Sequence, residues 1–353
     1  MGCCSPNRKE LEQKCENKNE CVFESQNSKI IKNNINNDDD ILNHIVINNE
    51  NKNDNSSINE IKMDESGKDE KLSNNLDLNS NILNNRNYNI EKIKDSDYEN
   101  ILEIYPPFDF ENKDKVEIKK NLISDDKTIY YGEYNTENNV KEGRGIQIWP
   151  NGSKYYGYFK NNKQNIRGKM EHIDGDIYEG EWIDDKANGK GKYTHNGIIY
   201  EGSWLNDRQN GYGIETWEDG SKYEGYFING KKEGKGKYVW KDGSSYEGDF
   251  KDNAFNGKGK FIWNNQREYD GDWENNKMKG MGVFTWPDGR KYEGEFKDDK
   301  KNGYGIYYWP DGRTFKGNWE NGFQNGEGEI FIPEKDKTRK GLWENGKRVK
   351  WLN

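Results

Sequence analysis

The chain has 353 residues and a formal net charge of −9, and only 30% of its residues are hydrophobic. The negative charge lies in the first 127 residues, which carry 27 acidic and 18 basic side chains, whereas the remainder is balanced at 37 of each. The balanced part lacks the basic stripe that a nucleic-acid-binding protein needs. No run of about 18 apolar residues is present either. We therefore expect no nucleic-acid partner and no membrane-spanning segment.

The first residues, Met1-Gly-Cys-Cys-Ser5, resemble an N-myristoylation signal followed by palmitoylation sites. After removal of the methionine, Gly2 would carry a myristoyl chain, and Cys3 and Cys4 would carry thioester-linked acyl chains. One acyl chain binds a membrane only weakly, so a second chain makes the attachment durable. Pro6 stands where the signal usually has Ser or Thr. The alternative interpretation is a flexible start with chance thiols.

The region before the repeats divides into three predicted parts. Residues 1–24 form the acylated N-terminus, which places the protein on the cytoplasmic side of a plasma or cortical membrane. Residues 25–95 form an Asn-rich linker, which has too few apolar residues to offset its ordering entropy and is predicted to be disordered. Residues 96–127 form an N-terminal cap, with a short helix that begins at the capping-box pattern Ser96-Asp-Tyr-Glu99 and ends at Pro106.

Residues 128–353 repeat one pattern of about 23 residues, and all 12 Trp and 37 of the 39 Gly lie in this part. Self-similarity at a short fixed period indicates stacked units that cannot fold alone. We expect an elongated array of nine full repeats and one partial copy at Lys340–Trp343. The full repeats begin at Tyr130, Tyr155, Tyr178, Tyr200, Tyr223, Tyr246, Tyr269, Tyr292 and Phe315.

Each repeat is predicted to form two β-strands. The segment Tyr223–Phe227 alternates with a period of two, which places its first Tyr, its Gly and its Phe on one face. The segment Gly234–Trp240 places its two glycines and its rings together in the same way. Turn sequences such as Pro287-Asp-Gly289 close one end of each strand pair. Because a mid-strand glycine is costly by itself, we expect large rings to lie over the bare backbone.

This pattern, best seen in Tyr292-Glu-Gly-Glu-Phe296, Gly303-Tyr-Gly305 and Trp309-Pro-Asp-Gly312, resembles the MORN repeat (membrane occupation and recognition nexus). The resemblance extends from Tyr130 to the C-terminal end. It implies an all-β fold, an elongated single-layer antiparallel sheet of β-hairpins. It also implies that phosphoinositide binding and dimerisation through terminal repeats are functions to weigh.

Residues that would support catalysis or metal binding are scarce. The chain has only three His, and His172 and His195 occupy a position that Trp fills in most repeats, so one ring replaces another. The four Cys all lie at or before Cys21, which leaves none in the array for a metal site. Acidic pairs such as Glu293 and Glu295 lie on the polar face, without a pocket that would shift their pKa values. We expect no enzymatic activity, no cofactor and no metal.

Two surfaces of the array are candidates for binding. The first is a set of lysines on the polar face that would contact anionic headgroups, although cross-strand pairing, as of Glu247 and Asp249 opposite Lys258 and Lys260, explains them without any ligand. The second is a set of apolar side chains on the polar face of the last repeats, which suggests a partner or a homodimer contact but also suits β-propensity alone. The lysines are Lys190, Lys192, Lys235, Lys237, Lys258 and Lys260. The apolar residues are Met281, Val283, Tyr304, Ile306, Tyr308 and Phe331.

Two functions follow from these observations. The first is a non-enzymatic, membrane-tethered scaffold, in which the acylated N-terminus holds the rod at a membrane and the rod binds proteins of a cortical membrane skeleton. The alternative is a phospholipid-binding module, in which the array itself contacts anionic headgroups. Loss of the acylation sites distinguishes the two, since only the second survives it.

Overall fold

The computed structural model describes residues 92–107 and 115–352. The predicted lipidation sites Gly2, Cys3 and Cys4 and nearly all of the predicted linker lie outside these residues. The described part contains one α-helix, α1, at Asp95–Ile104, and a short 3-10 helix at Pro333–Lys335 between the nineteenth and twentieth strands. Its 21 strands are β1 Val116–Ile123, β2 Ile129–Asn135, β3 Val140–Ile148, β4 Lys154–Lys160, β5 Lys163–Glu171, β6 Ile177–Ile183, β7 Lys186–His195, β8 Ile198–Leu205, β9 Arg208–Thr216, β10 Lys222–Ile228, β11 Lys231–Val239, β12 Ser245–Lys251, β13 Ala254–Ile262, β14 Glu268–Glu274, β15 Lys277–Thr285, β16 Lys291–Lys297, β17 Lys300–Tyr308, β18 Thr314–Glu320, β19 Phe323–Ile332, β20 Lys337–Glu344 and β21 Lys347–Trp351.

The strands form one antiparallel sheet in which each strand pairs with the strand before it and the strand after it in the sequence. With strands about 4.8 Å apart, the 21 strands extend on the order of 100 Å. The predicted fold class, an all-β single layer of hairpins, is confirmed.

One face of the sheet, which we call the ring face, carries the first residue of each repeat and the two mid-strand glycines. In the repeat that begins at Tyr269, the ring lies over Gly271 and Gly282 so closely that a Cβ on Gly282 would lie 2.5 Å from the tyrosine Oη. The hydroxyl donates to the backbone oxygen of Asp272 at 2.9 Å. The same bond to the residue three positions on forms in all eight repeats that begin with Tyr. The prediction that rings cover the strand glycines is confirmed.

The rings also contact each other from repeat to repeat, which makes the core continuous. Tyr269 meets Trp273 of its own strand at 5.1 Å and Phe296 of the next repeat at 5.0 Å, both edge to face. Such contacts stabilise by about 0.5–1.5 kcal/mol beyond the area they bury. Aromatic stacking along one face thus takes the place of a second layer.

Each repeat contains a β-bulge, which the sequence prediction of regular alternation missed. The pairing of β14 with β15 shifts by two residues after Gly271. In the bulge Gly280 adopts a left-handed conformation, with φ of +67°, and the Asp272 carboxylate accepts the Met281 N–H at 3.0 Å. The first glycine of each Gly-x-Gly is therefore a bulge residue and not a regular strand residue, as Gly234 with φ of +71° also shows.

The narrow turn of each repeat, which links its first strand to its second, is hydrogen-bonded to the preceding repeat. Asn275 and Asn276 both have positive φ, +50° and +66°, as expected of a type I′ hairpin turn. The Asn276 side chain accepts the Phe255 N–H of the preceding repeat at 2.7 Å, and its own N–H donates to the Phe255 backbone oxygen. These bonds tie each turn to the repeat before it.

Helix α1 lies on the face opposite the rings, across strands β1 to β4. Near its N-terminal end Asp95 pairs with Lys120 of β1 at 2.8 Å. Tyr98 stacks on Tyr131 of β2 at 4.7 Å, and Tyr105, just after the helix, contacts Tyr158 of β4 at 5.5 Å. The helix therefore runs along the length of the sheet and not along its strands.

The predicted short helix does form, but its cap differs from the prediction. The structure places the cap at Lys94, whose N–H donates to the Asp97 carboxylate at 3.2 Å, and not at Ser96 with Glu99. Strand β1 completes the edge by pairing with β2. The predicted cap at residues 96–127 thus contains β1 and all of α1 except its first residue, Asp95. The four proposed divisions of the chain stay predictions.

Candidate interaction surfaces

The face opposite the rings, which we call the charged face, carries all six predicted lysines. Five of them form ion pairs with acidic side chains of adjacent strands. The sixth, Lys190, donates from Nζ to the Ser203 hydroxyl at 2.8 Å. The pairs are Lys192–Glu201 at 2.9 Å, Lys235–Asp249 at 2.7 Å, Lys237–Glu247 at 3.1 Å, Lys258–Asp272 at 2.6 Å and Lys260–Glu268 at 2.7 Å.

The partners of these lysines differ in part from those expected. Asp249 pairs with Lys235, while its second oxygen accepts the backbone N–H of Lys258 at 3.0 Å. Partial burial opposes ionisation of Asp249, but the bonds from Lys235 and from the Lys258 N–H outweigh it and lower its pKa. Exposed pairs of this kind contribute only about 0.2–1 kcal/mol each. The geometry therefore favours cross-strand pairing as the main role of these lysines.

The six apolar residues of the last repeats also lie on the charged face, but they do not form one continuous patch. Strand β16 lies between the two residues on β15 and the three residues on β17. Val283 of β15 pairs with Glu293 of β16, and Glu293 pairs with Ile306 of β17. Strand β18 places Lys316 opposite Ile306 in the same way. The Tyr308 hydroxyl is itself occupied, since it donates to Glu293 at 3.0 Å.

Two members of this set remain open to solvent: Met281 is 56% exposed and Tyr304 is 54% exposed. The structure thus places all six predicted residues on one face but leaves charged side chains between them. Their role as a homodimer or partner contact stays a prediction.

A second apolar surface on the charged face, in the middle repeats, was missed at the sequence level. We call it the middle strip and define it by Ile183, Leu205, Tyr212, Tyr226 and Ile228. Each is between 44% and 58% exposed. Tyr212 and Tyr226 lie opposite each other on β9 and β10, with their rings 5.5 Å apart edge to face.

The signal that would have revealed the middle strip is a change at one repeat position. Ile183, Leu205 and Ile228 are the last residues of the first strand in three consecutive repeats. The next two repeats have Lys251 and Glu274 at that position. Alternation within one repeat does not show this change, which appears only when the repeats are aligned.

The two histidines of the array have different surroundings. His172 occupies the Trp position of a wide turn, where its backbone N–H donates to the Asp176 backbone oxygen at 2.8 Å, and burial of the ring lowers its pKa. His195 lies in a shorter turn, where Nδ1 is 2.5 Å from the Asp176 carboxylate and Nε2 is 3.0 Å from the Asn196 amide. Tyr193 donates to the same carboxylate at 2.7 Å. The His195 ring is thus engaged in side-chain hydrogen bonds, whereas the described bond of His172 is made by its backbone.

Lysines on the ring face lie among aromatic rings. Lys301 is 3% exposed, and its Nζ is 4.1 Å from the centroid of the Trp319 ring and 4.6 Å from that of the Tyr307 ring. Lys232, at the same position three repeats earlier, pairs with Glu215 at 2.7 Å and also lies over rings. These cations fill space between rings and form part of the core.

Metal-binding groups, apolar helices and grooves are three features that bear on the function of the described residues. Within 92–107 and 115–352, no group of three or more His, Cys, Asp or Glu side chains is placed to hold a metal ion. In the same ranges no helix is long and apolar enough to cross a membrane. A groove between the β16–β17 and β18–β19 turns is lined by Lys, Asp, Glu, Asn, Gly and Trp, without a His or a Ser.

Comparison with known proteins agrees with the repeat architecture. A family model described as the MORN repeat matches residues 130–154, 178–197, 200–222, 223–245, 246–266, 269–289, 292–312 and 315–332. The unmatched stretch inside the array is the second repeat, which has Ile166 at the bulge position and His172 at the Trp position. The search of curated proteins finds no match.

Similar solved structures include the TCP domain of SAS-4 (dCPAP) of Drosophila melanogaster in complex with a proline-rich motif of Ana2 (dSTIL). It is 13% identical over 52% of this chain and 92% of that chain, with a TM-score of 0.28. A streptogramin B lyase is 12% identical over 67% of this chain and 72% of that chain, with a TM-score of 0.14. Neither similarity carries an inference about this chain.

Proposed function

Because this chain belongs to the MORN-repeat family, we propose that it is a membrane-tethered scaffold without enzymatic activity. The observation that carries the proposal is the open single-layer sheet. It offers two long faces on a stiff rod, and the six lysines of the charged face are engaged in hydrogen bonds and ion pairs of the fold. A surface of this kind suits the binding of other macromolecules better than the conversion of a small substrate.

The tether in this proposal is the N-terminal Gly2 with Cys3 and Cys4. A myristoyl chain with one or two further acyl chains would hold the protein durably at a cytoplasmic membrane surface. The rod then presents its faces to proteins beneath a plasma or cortical membrane. Helix α1 covers one face at the end of the array that is nearest the tether in sequence, so the remaining repeats are free to bind partners.

The alternative, direct binding of anionic lipid by the array, has weaker support from the geometry. Headgroup contact by Lys235 or Lys258 would have to compete with the carboxylates at 2.7 and 2.6 Å. Acidic side chains interleave with the lysines along the whole charged face, so a membrane surface of negative charge meets both signs. We therefore place membrane attachment in the acyl chains.

Imaging and fractionation of the full chain in its own cell test the proposal. Gly2→Ala, and separately Cys3→Ser with Cys4→Ser, should move the protein from the membrane fraction to the soluble fraction, whereas Ser5→Ala is a control that keeps all three acceptor residues. Membrane association that survives both variants would contradict the tether. Charge reversal of Lys235 and Lys258 in that background then shows whether the array binds lipid.

We also propose that the C-terminal repeats form a homodimer contact. Ile306→Glu with Tyr308→Glu should convert a dimer to a monomer in light scattering of the purified chain. Lys316→Glu, on the adjacent strand, is the control for added negative charge alone. A dimer mass unchanged by the double substitution would remove this contact.

A further inference from the structure

The middle strip is a set of exposed apolar side chains on an otherwise charged face. Lys186 of β7 pairs with Ile183 and Arg208 of β9 pairs with Leu205, so charged side chains lie between the three aliphatic ones. The five apolar side chains together expose on the order of 500 Å². The flanking side chains carry both signs, with Lys222 and Glu224 paired at 2.8 Å. The surface therefore favours an apolar partner segment and not a polyanion or a polycation.

The spacing of the three aliphatic residues in the middle strip matches the heptad spacing of an α-helix. Ile183, Leu205 and Ile228 end the strands β6, β8 and β10 and thus recur every two strands, or about every 9.6 Å. Residues seven apart on an α-helix are about 10.5 Å apart along its axis. A helix that lies across the strands can therefore place one apolar side chain near each of the three.

The chain itself shows that this face accepts a helix in this direction. Helix α1 has ten residues, about 15 Å, and it crosses from Lys120 on β1 to Tyr158 on β4. Tyr158 and Tyr226 each follow a glycine of one continuous cross-strand row, and Tyr212 precedes a glycine of that row, so the three tyrosines border it on the same side. The paired glycines of the row are Gly157, Gly168, Gly180, Gly191, Gly202, Gly213 and Gly225. The middle strip continues the line of the α1 contact farther along the rod.

The size of the strip selects a single helix over a second copy of the rod. A stable protein–protein interface buries about 800 Å² on each partner, and two rods in contact through this strip alone would bury less than that. A single bound helix buries a smaller area, through apolar side chains spaced one or two helical turns apart.

We propose that the middle strip docks an amphipathic α-helix of a partner protein, which lies across strands β6 to β10. This proposal rests on the scaffold function and names the class of partner that the rod binds. The anchoring side chains of the partner are apolar residues repeated every seven positions, and they pack between the three aliphatic residues and the tyrosine pair.

The test uses the full chain without acylation and a fluorescent 21-residue peptide with Leu at the first and fourth positions of three heptads and Glu and Lys elsewhere. A second peptide of the same composition distributes its Leu around the helix. Fluorescence anisotropy should show binding of the first peptide, with at least tenfold weaker binding of the second. Leu205→Glu with Ile228→Glu should weaken binding at least tenfold.

The matched control is Lys251→Glu with Lys297→Glu, at the same repeat position in later repeats, which should change affinity less than twofold. If the Glu variant lowers the unfolding midpoint, Leu205→Ser with Ile228→Ser replaces it. Absence of binding at about 1 mM peptide, a concentration that would reveal even weak affinities, or equal binding by all variants, would overturn the proposal. Because this assay contains no membrane, its outcome is independent of the Gly2→Ala result.

Discussion

The contact between a tyrosine ring and two bare glycines predicts that adding one methyl group to the sheet is severely destabilising. In Gly282→Ala the new Cβ would lie 2.5 Å from the Oη and 2.6 Å from the Cζ of Tyr269. The backbone of Gly282 is outside the left-handed region, so conformational strain adds nothing. Overpacking costs about 1–3 kcal/mol, and displacement of the ring also breaks the 2.9 Å bond to Asp272, which adds about 1 kcal/mol.

We therefore expect Gly282→Ala to lower the free energy of unfolding of this part of the array by about 2–4 kcal/mol. The control is Gly243→Ala, a turn glycine with φ of +84° at which an added methyl group would have no atom within 4 Å. That substitution adds only left-handed strain, about 1–2 kcal/mol. Urea denaturation and hydrogen exchange of β14 to β16 measure both effects.

A double-mutant cycle tests the cause. Tyr269→Ala removes the ring and is itself costly, by about 3–5 kcal/mol, but in that background Gly282→Ala should cost less than about 1 kcal/mol. The reasoning is refuted if Gly282→Ala costs no more than Gly243→Ala. It is equally refuted if removal of the Tyr269 ring leaves the cost of the alanine unchanged.

Three further predictions concern hydrogen bonds that recur along the array, and urea denaturation measures each of them. Tyr292→Phe should lower the free energy of unfolding by about 1–2 kcal/mol, because it leaves the Glu295 backbone oxygen without its 3.0 Å donor. Phe315→Tyr should be neutral or stabilising. A stabilising Tyr292→Phe with a destabilising Phe315→Tyr would contradict the role of the hydroxyl. Asp272→Ala should cost about 1–2 kcal/mol through loss of the bulge bond, and an unchanged midpoint would contradict it. Asp299→Asn should raise the midpoint at pH 7, since burial raises the pKa of Asp299 above 3.8 and makes its charged form unfavourable in the fold. That gain should vanish as the pH falls below 3.8, where the carboxyl is protonated in both states, and a gain that persists at pH 3 would point to another cause.

The architecture of the array was predictable from the sequence because its causes are local and repeated. Alternation in Tyr223–Phe227 assigns residues to faces, and the recurrence of Gly beside large rings indicates that the rings lie over the backbone. The type I′ turns also had a signal, since pairs such as Asn275-Asn276 follow each first strand. The hydrogen bond from each turn to the preceding repeat was not predictable from strand alternation, because it joins residues 21 positions apart, such as Phe255 and Asn276.

The bulge and the binding surfaces were less predictable, for different physical reasons. Gly234 has the same residue type as the strand glycine Gly236, and only the shift in pairing shows that it needs a positive φ. The apolar residues of the last repeats share a face, as predicted. Whether they touch depends on the strands between them, where Glu293 intervenes. The middle strip depends on alignment between repeats and on exposure, neither of which a single repeat displays.

The pairing of each strand only with its sequence neighbours determines how the rod would respond to force. Tension applied to the two ends of the array would load the hydrogen bonds of one terminal strand at a time. The five-residue strand β21 would detach first, since β1 is held by α1 as well as by β2. Each later strand with its turn would add about 40 Å of extended chain. The array would then lengthen in small steps, one strand at a time, while the remaining repeats keep their structure.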